Sequence, residues 1–165
     1  RQLETGLELL ESVMSIARRH GHSPKVVGLC TTVVTVGGEL AERLSLPEGS
    51  PVIRIARAIR IDGQAISYHE DYVPTDILSI DQLKPFNGSV LDLLADHLQL
   101  NITSALTEIT AVNATGELCN SLGVWPGCAL IHLKETLHDE SGTVIGFSDN
   151  YFVPDGFRLQ FIRRK

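Results

Sequence analysis

Leu3, Leu7, Leu10, Val13, Met14 and Ala17 recur at intervals of three and four, which predicts an amphipathic helix over residues 3–19, ended by Gly21. The period then shortens. Residues 25–35, rich in Val and Thr, read as a strand, and a short helix follows over 37–44. An alternating pattern over 51–61 and 64–73 is interrupted by Asp62-Gly63, the signature of a hairpin. Ser89 to Leu98 returns to helical spacing, and 116–122 predicts another short helix. A second hairpin pairs 128–138 with 143–153 across Asp139-Glu140-Ser141-Gly142, and Phe157 to Ile162 reads as a last strand. Thr35 and Asn113 are expected to cap the helices at 37 and 116. Pro47-Glu48-Gly49 and Trp125-Pro126-Gly127 read as turns, with Trp125 covering core. About seven strands joined mostly by hairpins, with four helices, predict an α+β domain: a mainly antiparallel sheet with helices packed on it.

These elements come in two copies about 78 residues apart. Thr32, Val34, Gly38, Glu39, Leu40, Leu44, Gly49 and Ile53 meet Thr110, Val112, Gly116, Glu117, Leu118, Leu122, Gly127 and Ile131 at one constant offset. The exits also correspond, Tyr72-Val73-Pro74 in one copy and Tyr151-Phe152-Val153-Pro154 in the other. Two copies are too few for a solenoid and suit one domain, 1–165, with internal pseudo-two-fold symmetry and a central seam.

Composition narrows the classes. With 165 residues and 43% apolar content the chain can bury a core of its own. No apolar run reaches the roughly 18–20 residues that a bilayer span needs, so no membrane is expected. A net charge of −6 opposes direct binding of nucleic acid, which needs a basic surface. Cys30, Cys119 and Cys128 form neither an even set nor a CxxC pair, which predicts a reduced, cytoplasmic protein without a structural metal. The chain opens on Arg1 without an initiator Met, as a piece of a longer protein would.

The most unusual side chain is Arg57. Strand alternation puts it in the middle of a face otherwise made of Ile53, Ile55, Ile59 and Ile61. A buried arginine must find an anion, since an uncompensated charge there costs several kcal/mol. That anion is either an internal carboxylate such as Glu70 or a ligand. Register separates the two readings. A plain two-residue turn at Asp62-Gly63 pairs Arg57 with Tyr68 and turns Glu70 to its face, neutralising it. A glycine bulge brings Ser67 and His69 beside it and leaves it free for ligand. Ser89 opens Ser89-Val90-Leu91-Asp92, a variant capping box; it is either a bare cap or part of an anion site at a helix start. There is no Gly-rich phosphate loop, no nucleophile elbow and no metal-ligand spacing.

The stretch Leu46-Pro47-Glu48-Gly49-Ser50-Pro51-Val52-Ile53-Arg54-Ile55-Ala56-Arg57, followed by Asp62-Gly63-Gln64-Ala65-Ile66-Ser67-Tyr68 and Tyr72-Val73-Pro74, resembles the UTRA domain. That is the effector-binding domain of GntR-family transcription regulators of the HutC subfamily. Ser89-Val90-Leu91-Asp92-Leu93-Leu94 and Leu122-Gly123-Val124-Trp125-Pro126-Gly127 continue the resemblance in order over nearly the whole chain. It implies a chorismate lyase-like fold enclosing a small molecule. It also implies a homodimeric repressor whose winged helix-turn-helix domain, preceding this one, contacts operator DNA. Arg57 matches a family arginine that meets the effector's anionic group, and Ser89 a serine used there. A second family arginine falls on Ile59, a glutamate on His69, another on Gly146 and a tyrosine on Phe152. Fewer polar groups for a sugar ring imply a smaller or more apolar anion, a carboxylate, phosphate or phosphonate.

The resulting expectation is a ligand-sensing domain with no catalytic residues, metal or cofactor, and an effector site drawn from Arg57, Ser89, His69, Tyr68, Glu70, Ser67 and Phe152. A chorismate lyase-like enzyme acting on a small aromatic acid is the alternative. A dimerisation module without a ligand, with a closed core and Arg57 bridged to Glu70, is the third reading. Because Glu135 stands at the repeat position of Arg57, the anion-binding end is expected in the first copy alone.

Overall fold

A computed structural model describes residues 2–165. Among the described residues there are eight strands: β1 (Leu3–Gly6), β2 (Lys25–Thr35), β3 (Pro51–Ile61), β4 (Gln64–Pro74), β5 (Ile102–Asn113), β6 (Ala129–Asp139), β7 (Val144–Phe152) and β8 (Phe157–Gln160). Helices α1 (Val13–Arg19), α2 (Gly38–Leu44), α3 (Val90–Asp92, widening into a π-helical turn over Leu93–His97) and α4 (Gly116–Leu122) join a short 3-10 turn at Ile80–Leu83. Six strands form an antiparallel sheet in the order β2-β3-β4-β7-β6-β5.

This order is its own mirror under the repeat. β2, β3 and β4 correspond to β5, β6 and β7, α2 corresponds to α4, and the halves meet where β4 pairs with β7. The expected seam is this strand pair. Both hairpins also carry a bulge at equivalent places. In β4, Ile59 pairs with Ser67 but Arg60 with Ala65, leaving Ile66 as the extra residue. In β7, Ile145 is the extra residue, since Leu137 pairs with Gly146 and His138 with Val144.

The start of the chain differs from its periodicity. Leu3–Gly6 is a strand paired parallel to β8, with Leu3 and Thr5 buried and Glu4 exposed. Helix α1 begins only at Val13, where the Ser12 hydroxyl accepts the Ser15 N–H at 3.1 Å. The spacing of Leu3, Leu7 and Leu10 was compatible with a helix, but pairing with Phe157–Gln160 and burial of Leu3 against Phe157 outweigh it. Leu9 and Leu10 remain exposed. The expected last strand ends at Gln160 and belongs to this small sheet.

Two capping expectations fail. Helices α2 and α4 start from Gly37 and Thr115 without a side-chain cap, and the Glu48 carboxylate instead accepts the Gly38 N–H at 3.0 Å. Trp125 is 86% exposed and covers no core. One sheet face packs on α2 and α4, through clusters around Leu44, Val52 and Phe147 and around Tyr68, Leu122 and Leu130. The other face is covered by β1, β8, α1 and α3 through Met14, Ile59 and Phe157 at one end and Ile55, Leu93 and Leu94 at the other. Between those last two clusters the packing opens into a cavity.

Candidate functional site

Asp62 and Gly63, with φ of 50° and 79°, make the tight two-residue turn that Asp-Gly favours. The bulge at Ile66, not the turn glycine, then shifts the register. Arg57 lies opposite His69, which lies opposite Asn150, which lies opposite Leu133. The next row runs Ile55, Asp71, Ser148, Glu135. Ser67, His69 and Asp71 thus share a face with Arg57, while Tyr68 and Glu70 point to the other side of the sheet.

The cavity on this face has a volume of about 440 Å³. Its floor includes Arg57, His69, Asp71, Glu135, Ser148, Asn150 and Phe152; its rim includes Gly88, Ser89 and Thr107, and the segment Thr5–Val13 forms a wall. Arg57 is 4% exposed, yet it is not free as the bulged register predicted. Its Nη1 pairs with Asp71, its Nε and Nη2 donate to the Gly88 carbonyl at 3.1 and 2.9 Å, and Nη1 also reaches the Ile55 carbonyl at 3.4 Å. The Phe86 ring lies beneath the guanidinium, 5.4 Å from its centroid. Of five guanidinium N–H groups, these bonds leave one, on Nη2, for another acceptor.

His69 is buried and fully engaged. Its Nδ1 lies 2.7 Å from Asn150 Oδ1 and its Nε2 2.8 Å from Ser67 Oγ. Because the Asn150 amide nitrogen donates to Ser148 at 3.0 Å and to Glu135 at 3.4 Å, its oxygen is the acceptor for Nδ1–H, and the Ser67 hydroxyl donates to Nε2. Burial, then the nearby Arg57 charge, hold the imidazole down to about 3, so it is neutral at pH 7. His69 therefore offers a ligand its ring surface, not a charge. Ser67 is completely buried beneath it and does not line the cavity.

Ser89 caps α3 by accepting the Asp92 N–H at 3.0 Å, and it lines the cavity beside the Gly88 carbonyl that holds Arg57. Phe152 lies edge-on to His69 and packs against Phe157. Tyr68 and Glu70 do not join this group. Tyr68 donates to Glu117 at 3.0 Å, and Glu70 binds Arg54 at 3.2 Å and accepts from Tyr72 at 2.8 Å, all on the face toward α2 and α4. Four of the seven expected residues, Arg57, Ser89, His69 and Phe152, thus meet at the cavity.

Sequence reasoning missed Asp71, Asn150 and Ser148 and noted Glu135 only as a repeat mate. The available signal was alternation: once Ser67 and His69 face Arg57, so does Asp71. Burial, then the Asp71 charge, push the Glu135 carboxyl up to about 7 against a smaller opposing effect of the Asn150 amide. Among the described residues no group of three or more His, Cys, Asp or Glu could hold a metal ion, and no helix is long and apolar enough to cross a membrane.

Known proteins share this fold. The family model of the UTRA domain matches residues 6–158. An uncharacterized HTH-type transcriptional regulator of Rhizobium meliloti is 27% identical over 128 residues, which is 77% of this chain and 52% of that protein. The chain thus spans about half the length of this curated relative. PhnF from Mycobacterium smegmatis superposes with a TM-score of 0.86 at 16% identity, over 99% of this chain and 72% of that one. The effector domain of the same protein gives 0.82 at 17% identity, over 93% and 95%. A GntR-family transcriptional regulator from Bacillus cereus gives 0.73 at 14% identity, over 87% and 99%.

Proposed function

The chain belongs to the UTRA domain family, and from that premise we propose that it binds a small anionic metabolite in the cavity at Arg57 and relays its presence to a DNA-binding domain. The relatives are transcriptional regulators, so the chain is a ligand-sensing regulatory domain and not an enzyme. The chorismate lyase-like alternative gains nothing from them. The closed-core reading also loses ground, because Arg57 is bridged internally to Asp71 and not to Glu70, and it borders a 440 Å³ cavity.

The observation that carries the proposal is a 4% exposed arginine on the floor of a cavity large enough for a metabolite. An incoming carboxylate, phosphate or phosphonate takes the remaining Nη2 N–H and competes with Asp71 for the rest. Ser89, at the rim, supplies a hydroxyl. The wall formed by Thr5–Val13 supports a relay: a ligand touching it biases the part of the chain that precedes α1. In the wider proposal this is a cytoplasmic, homodimeric repressor of the HutC subfamily, reaching operator DNA through a winged helix-turn-helix domain. Edge strands β2 and β5, with Leu29, Val33, Leu106 and Ile109 exposed, support a second copy.

Calorimetric titration with a panel of small carboxylates, phosphates and phosphonates tests the core of this reading. At least one should bind wild type, and Arg57→Ala should lose it while keeping its circular dichroism spectrum. Equal affinity in the folded variant would remove Arg57 from the site.

A further inference from the structure

We propose that the effector is zwitterionic, with Glu135 reading a cationic group at the end of the cavity opposite Arg57. The inference rests on the reading that Arg57 takes the anionic end, and it adds the chemistry of the other end.

The repeat supplies the geometry. Arg57 in β3 and Glu135 in β6 occupy equivalent positions of the two halves: Arg57 pairs with His69, and Glu135 with Ser148, the residue that the two-fold relates to His69 across the seam. Both line one cavity from opposite sides of the β4–β7 seam. Three strand steps of about 4.8 Å across the sheet and one two-residue step along it separate their backbones, roughly 16 Å in all. After both side chains reach inward, a small molecule fits between them. A symmetric scaffold thus presents opposite charges at its two mated positions.

Charge accounting points the same way. Arg57 already has Asp71 as its partner. Glu135 has no Lys, Arg or His partner among the described residues; its one side-chain hydrogen bond is the 3.4 Å contact from Asn150 Nδ2. Glu8 adds a carboxylate to the wall, while Glu11 beside it is paired with Arg19 at 2.9 Å. A purely anionic ligand would enter a cavity in which acids outnumber Arg57. An ammonium or guanidinium on the same ligand removes that penalty, since it places a cation beside the carboxylate that lacks one. Acceptors for its further N–H groups are at hand in the Ser148 and Thr107 hydroxyls, which stand opposite Glu135 on the two neighbouring strands. Asn150, fixed by His69 and Ser148, holds the Glu135 carboxylate in place.

The test uses matched pairs on the 165-residue chain: propionate, butyrate, pentanoate and short alkylphosphonates, each against its ω-amino counterpart, by calorimetry and thermal shift. At least one aminated member should bind about tenfold or more tighter than its partner, the size of one charge-assisted hydrogen bond. Glu135→Gln should erase that preference without weakening the unaminated anion, and Glu135→Asp, which keeps the charge, should retain part of it. Circular dichroism of each variant confirms folding. Equal binding within every pair, or a preference that survives Glu135→Gln, overturns the proposal. If unaminated anions bind through Arg57 without an amino preference, this inference alone falls. If no member of any pair binds wild type, the anion reading at Arg57 falls with it.

Discussion

Glu135→Gln should make the protein more stable above neutral pH and leave it nearly unchanged in acid. Glutamine keeps the shape of the side chain and an acceptor for Asn150, so the difference reports the carboxylate charge. Unfolded, Glu135 titrates near its ordinary value of 4.5; folded, burial and then Asp71 push it up to about 7. The folded state therefore holds the proton more tightly. Its contribution is fully present below 4.5 and is lost as pH rises to about 7. At about 1.4 kcal/mol for each tenfold change, the full effect is about 3 kcal/mol, reduced to about 2–3 by water admitted to the cavity.

His69 has the opposite sign. Its folded value lies near 3, below the ordinary 6.5, so its contribution is present above 6.5 and lost as pH falls toward 3. Between 4.5 and 6.5 the two slopes oppose each other, and in wild type they largely cancel. Removing Glu135 should expose the His69 slope, so that the variant gains about 2–3 kcal/mol across that interval. Urea denaturation of both proteins, at pH steps from about 4.5 to 8.5, measures this directly. Surface carboxylates act equally in both chains and drop out of the difference. Parallel profiles would refute the reasoning: Glu135 would then be an ordinary hydrated acid, and its claim to a ligand cation would lose its physical basis.

Asp71→Asn should free Arg57 for exogenous anions while removing its buried counter-charge; tighter binding of the best carboxylate should accompany a stability loss of up to about 3–5 kcal/mol in urea denaturation. Gly88→Ala should be more disruptive than its size suggests, because Gly88 has φ of 110° and an added Cβ would meet Val26 Cγ2 at 2.7 Å and Met14 Cε at 3.0 Å. The loop whose carbonyl holds Arg57 must then move, so lower stability and weaker anion binding should appear together, measured by thermal shift and calorimetry.

The sequence carried the hairpins, both repeat helices and the two-fold symmetry of the sheet, because each rests on a signal in the chain itself: alternation, Asp-Gly, or the repeat offset. It misjudged Leu3–Gly6, whose partner Phe157–Gln160 lies some 150 residues away and leaves no local trace. Arg57 was legible because an arginine within an isoleucine face violates the pattern. Its counter-ion was not, since the extra residue Ile66 reassigns every later side chain of β4. The bulge shifted the register as the second alternative required, but it brought Asp71 along with His69. Tyr68 and Glu70 were placed on the far face by that same residue.

A path through the cavity rim connects these local contacts to the proposed relay. Arg57 holds the Gly88 carbonyl; Ser89 next to it caps α3 by accepting the Asp92 N–H; and the Asp92 carboxylate accepts the hydroxyl of Ser12, the residue that caps α1. A ligand changes an equilibrium only by as much as its affinity differs between the two states. Typical couplings are about 1–3 kcal/mol, and one side-chain hydrogen bond or one helix cap is worth about 1 kcal/mol. Breaking or strengthening a single link in this path is therefore of the right size, and no large rearrangement of the sheet is needed. In the proposed relay, an anion that pulls the Arg57 guanidinium toward itself weakens its hold on the Gly88 carbonyl as well as on Asp71, and with it the cap of α3 and, through Asp92, the entry to α1. The six-stranded sheet supplies the rigid floor against which that small shift is expressed.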